Sequence, residues 1–197
     1  MKTKKLVIGL LTVLAAMLPL GVGSAFGATL YWDGGGGDDN WSTVANWNTA
    51  ADGGGGDPAA APAAGDDVVF HTGATARLTN VCNLDLSGGT GISITVNDPG
   101  GNVSIAIDMP VKFKTGASLT VGAADALALT VGSGYLSVAG DAIFDVGAGL
   151  AIVSTIDINS GSLTVAGDGS TTISGAISGN NEVIKNGAGI LTLSHAN

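Results

Sequence analysis

From residue 66 onward, apolar and small polar residues alternate in short runs cut by glycine. The runs are Val68–His71, Ile92–Val96, Val103–Ile107, Ser118–Val121, Leu127–Val131, Tyr135–Val138, Ala142–Val146, Ala151–Ile156, Ser162–Val165, Thr171–Ser174 and Ile190–Leu193. A period of two sends alternate side chains to opposite faces of an extended strand, and the abundant Val, Ile and Thr favour that conformation. Helical spacing is nearly absent, because no long stretch repeats apolar residues at three and four without a Gly or Asp intervening. The pattern predicts an all-β body in which each strand buries one face.

A fragment recurs within these runs: Leu119-Thr-Val-Gly122, Leu129-Thr-Val-Gly132, Leu136-Ser-Val-Ala-Gly140 and Leu163-Thr-Val-Ala-Gly167, with Leu191-Thr-Leu-Ser194 as a looser copy. A strand-plus-glycine unit is too small to fold alone, so its repetition predicts a parallel β-solenoid whose coils bury one another. At roughly 20 residues per coil, residues 66–197 predict about six coils. An antiparallel sandwich or barrel is the competing architecture. It would need two-residue hairpin signals between full strands, and only Asn186-Gly187 is a clear one.

The chain ahead of this body divides in three. Lys2, Lys4 and Lys5 precede the apolar run Leu6–Leu20, and small residues follow from Gly21 to Ala28. That order predicts a signal peptide over residues 1–27, cut after Gly27 or after Ala25, and hence an exported chain. The uninterrupted apolar stretch is short for a bilayer span. Residues 28–48 hold all three tryptophans, Trp32, Trp41 and Trp47. Residues 49–65 are Ala, Gly, Pro and Asp apart from Thr49, which predicts a flexible surface linker or loop.

Charge narrows the partners. The whole chain carries a formal charge of −9. Without residues 1–27, four bases (Arg77, Lys112, Lys114 and Lys185) stand against all sixteen acids. Such a body repels phosphate backbones, so nucleic acid is not an expected partner. All the acids but Glu182 are Asp, a residue of turns rather than helix faces. Cys82 is the one cysteine, so no intramolecular disulfide can form, and its apolar surroundings predict a half-buried hydrophobe rather than a reactive thiol.

The tryptophan segment is the most unusual stretch. Its rings are expected to plug the first coil, since a solenoid end exposes an apolar cross-section and unpaired strand edges. The alternative is a carbohydrate-binding module in which Trp32, Trp41 and Trp47 stack on extracellular glycans. Asp33, Asp38 and Asp39 offer oxygens for calcium, but they lack the spacing of known calcium loops and read better as solvated turn carboxylates. No catalytic residue and no cofactor is expected. Asp66 and Asp67 are adjacent and would face opposite ways on a strand, Arg77 is the lone arginine, and His71 and His195 lie outside any hydrolase or metalloprotease motif.

Two stretches resemble the autotransporter-associated β-strand repeat proteins. Ile173-Ser-Gly-Ala-Ile-Ser-Gly179 with Val183-Ile-Lys-Asn-Gly-Ala-Gly-Ile-Leu-Thr-Leu-Ser194 is similar to the family repeat, with His195 where the repeat usually has Gly. Trp32-Asp-Gly-Gly through Asn46-Trp47, and Gly65-Asp-Asp-Val-Val-Phe70, resemble the start of such mature chains. The resemblance implies a right-handed parallel β-helix displayed at or beyond an outer-membrane cell surface, with a structural or adhesin-like role. Either this is the front piece of a longer passenger or it is a short member of the family. Membrane contact is expected only through the export signal or a C-terminal barrel outside this sequence, and self-association is expected through the open end of the solenoid.

Overall fold

The computed structural model describes residues 27–195, so the proposed signal peptide up to Phe26 lies outside the described residues. Alternation becomes architecture through parallel pairing. Each strand lies directly below its counterpart one coil earlier, so the chain winds as a β-solenoid of about five turns with three faces.

The first face holds β1 (Thr29–Trp32), β3 (Asp67–His71), β5 (Ser93–Asn97), β8 (Gly116–Val121), β11 (Ala142–Val146), β14 (Leu163–Ala166) and β17 (Val183–Lys185). The second holds β4 (Thr79–Cys82), β6 (Val103–Ile107), β9 (Leu127–Val131), β12 (Gly149–Ile152), β15 (Ser170–Ile173) and β18 (Leu191–Leu193). The third holds the short strands β7 (Val111–Phe113), β10 (Leu136–Val138), β13 (Ile156–Asp157) and β16 (Ile177–Ser178). Every pairing among these strands is parallel.

Inward positions align into apolar columns. On the first face Leu30, Val68, Ile94, Leu119, Phe144 and Val165 stack in register, and Trp32, Phe70, Val96, Val121 and Val146 form a second column beside them. On the second face Ile105, Leu129, Ile152 and Ile173 continue one column inside the stack. All of these side chains are buried. Burial of such columns supplies most of the driving force, at about 25 cal/mol per Å² of apolar surface.

The coil is longer than the expected 20 residues at first. Val68 pairs with Ile94, Ile94 with Leu119 and Leu119 with Phe144, which are steps of 26, 25 and 25 residues. The steps then shorten to 21 from Phe144 to Val165 and 20 from Leu163 to Val183. The wide early coils explain why about five turns form rather than six. The Leu-Thr-Val-Gly fragment also proves to be one strand and not one coil. Its copies lie on the first face (Leu119, Leu163), the second (Leu129) and the third (Leu136).

Candidate functional site

The chemistry-bearing residues singled out by sequence gather at the first end of the solenoid. The chain from Thr29 to Asn48 begins as an ordinary coil: β1 pairs with β3 on the first face, and Asn40 bridges Val81 on the second. It then reverses through a 3-10 turn, η1 (Val44–Asn46), into β2 (Trp47–Asn48), which lies antiparallel against β1. A strand of two residues running the wrong way offers little edge for further parallel pairing.

Behind this reversal the tryptophans fill the cross-section. Trp32, Trp41 and Trp47 are each 0% exposed. Trp47 stands edge-on to both neighbours, with ring centroids 5.0 Å from Trp32 and 5.2 Å from Trp41, while Trp32 lies over Phe70 at 5.7 Å. Each indole N–H has an acceptor: Trp32 donates to the Ala76 carbonyl (3.1 Å), Trp41 to Asn80 Oδ1 (2.8 Å) and Trp47 to the Trp41 carbonyl (2.8 Å). Buried indoles satisfied in this way are plug chemistry. No ring face is open to solvent, so a sugar has nothing to stack on in this packing.

Three asparagines organise the site, and sequence reasoning gave none of them a role. Asn80 heads the inward column of the second face, above Ile105, where an apolar residue would ordinarily stand. It is buried and receives the Trp41 indole while donating to the Arg77 and Leu78 carbonyls. Asn46, fully buried, ties the glycine loop by donating to the Asp38 and Asn40 carbonyls and accepting from the Gly36 amide. Asn48 does the same for residues 49–56, accepting from the Ala50 and Gly55 amides and donating to the Gly53 carbonyl. Their signal in sequence was only adjacency to tryptophan.

The carboxylates considered for calcium each serve a separate turn. Asp33 accepts from the Gly35 amide and the Asn48 side chain. Asp38 accepts from the Asn40 amide and the Thr43 hydroxyl, and these bonds hold its carboxyl below the usual carboxylate range. Asp39 pairs with Arg77 at 2.8 Å. Among the described residues no three acidic, histidine or cysteine side chains converge as a metal site.

Elsewhere, Asp66 caps the Ala28 and Ala63 amides, and Asp67 accepts from Ser93 and from Lys114, whose Nζ lies 2.6 Å away. Cys82 is fully buried rather than half-buried, and desolvation pushes its thiol up to about 12. A groove of about 480 Å³ crosses the start of the second face between Thr79 and Ser170, lined by small residues with no charged side chain among them.

Fold and plugged end together define a parallel β-solenoid sealed at its first coil. Comparison with protein-family models, curated proteins and solved structures finds no match.

Proposed function

We propose that this chain is an exported, non-catalytic β-solenoid scaffold, the leading part of a surface-displayed passenger of the autotransporter-associated β-strand repeat kind, at the outer-membrane surface or beyond it. One observation carries the reading. The run from Ile173 to Leu193, on which the resemblance rests, makes one turn of the solenoid, and its motif positions are the positions that turn needs. Ile173 ends a second-face strand, Gly175 turns the corner, Ile177 lies on the third face and Gly179 turns the next corner. Val183–Lys185 form the first-face strand, Gly187 and Gly189 turn back, and Leu191–Leu193 complete the circuit. A Cβ on Gly175 would overlap the Ser154 carbonyl, and one on Gly189 the Gly169 carbonyl, so the glycine spacing is a packing requirement of stacked corners.

A scaffold also needs nothing further from the residues at hand, whose polar groups hold turns and the plug. In the last turn Val183, Leu191 and Leu193 stand in core columns with no coil beneath them among the described residues, and this end is the proposed surface for self-association. Expression of the full chain in a bacterium with two membranes tests export. Surface exposure to added protease, with a new N-terminus after Gly27 or Ala25, supports the proposal. An uncut chain retained in the cytoplasm refutes it.

A further inference from the structure

His71 occupies an outward position at the end of β3, yet it is only 6% exposed. What covers it is the segment after Asn48: a Cβ on Gly73 would touch the imidazole on one side and lie 3.7 Å from the Ala51 carbonyl on the other. The ring also meets Tyr31 edge-on, with centroids 5.6 Å apart. Nδ1 accepts the Gly73 amide at 3.0 Å, which assigns the neutral ring's proton to Nε2. That nitrogen is buried and has no hydrogen-bond partner.

We propose that His71 is a pH-sensitive latch, holding residues 49–56 closed over Tyr31 while neutral and releasing them when protonated. A proton on Nδ1 would set two N–H groups face to face and abolish the bond to Gly73. The elements packed around the ring offer the cation no direct partner. β1 presents Tyr31, the paired position in β5 is Asn97, and the covering segment presents Asp52. Asp33 and Asp52 attract the charge from nearby, but their oxygens are engaged by Gly35 and Asn48 and by Gly54 respectively. Burial outweighs them and holds the imidazole below its ordinary value. The open state has the ordinary affinity and takes up the proton more readily. Closure is therefore complete above about pH 6.5 and weakens as pH falls through the window beneath it, by up to about tenfold per pH unit.

Hydrogen exchange of the Thr49 and Gly53 amides, which donate to the Gly56 and Ala50 carbonyls, reads the latch once intrinsic exchange rates are divided out. The expected result is loss of protection by about tenfold or more between about pH 7.5 and pH 5.5 in the native chain, and no pH dependence in His71→Gln. Constant protection in the native chain, or an equal loss in the variant, overturns the proposal. The native His71 Cε1–H resonance provides a test that needs no variant: a midpoint at or above about 6.5 overturns it equally.

Discussion

Replacing Trp47 with Ala tests whether the tryptophans are a plug. Trp47 is fully enclosed, touches two other indoles edge-on and donates a buried hydrogen bond to the Trp41 carbonyl. Truncating a buried aromatic to Ala costs about 3–5 kcal/mol, and the two ring contacts favour the upper part of that range. At 1.4 kcal/mol per tenfold, the local equilibrium shifts by roughly two to three and a half orders of magnitude. Trp47→Phe keeps a ring in place but leaves the Trp41 carbonyl without its donor, a smaller loss of about 1–3 kcal/mol. Because coils contact only their neighbours, the damage stays near the first end. Denaturant unfolding followed at once by the fluorescence of Trp32 and Trp41 and by far-ultraviolet circular dichroism separates the two regions. The fluorescence transition should move to much lower denaturant while the dichroism transition moves less. A Trp47→Ala protein whose fluorescence midpoint matches the native one would refute the enclosed plug.

Corner packing predicts that Gly175→Ala, whose methyl would overlap the Ser154 carbonyl, lowers stability by about 1–3 kcal/mol in thermal melts, whereas Gly37→Ala, with open space around it, leaves the melt unchanged. Cys82, buried with its thiol pushed up to about 12, should resist a colourimetric thiol reagent at neutral pH until the chain is unfolded; fast labelling of the native form would contradict its placement. Light scattering should show mass rising with concentration and levelling at a dimer, since the reversed β2 seals the other end, and Leu193→Asp should abolish the rise. A native chain that stays monomeric throughout would refute the open-end interface.

Much of the fold was written in the alternation. Val103–Ile107, Leu127–Val131 and Ala142–Val146 are strands over the residues that the pattern marked. Failures cluster where strands are too short to alternate. Ile177–Ser178 on the third face carries too few residues to show a period. Ala151–Ile156 read as one strand but is two, because Ser154 turns a corner and is held there by its bond to the Thr130 carbonyl. The coil number was missed because a strand-sized repeat was taken for a coil-sized one. At the first end the tryptophans were visible by composition, but the partners that make them a unit were not. Asn80 lies 39 residues from Trp41, and that distance closes only when the second coil is wound onto the first.

The shortening of the coils along the stack sets the grain in which this molecule can change length. In the wide early coils Phe70, Phe113 and Phe144 fill space that aliphatic side chains leave open, and each coil has its own loops. From Phe144 onward the interior is aliphatic and the steps settle at 21 and then 20 residues. There, adding or removing a whole turn preserves every column, while any other length slides inward residues onto the outer face. Sequence drift in that part is therefore quantised: a lineage can lengthen or shorten the rod one turn at a time, and the aromatic end must be inherited intact.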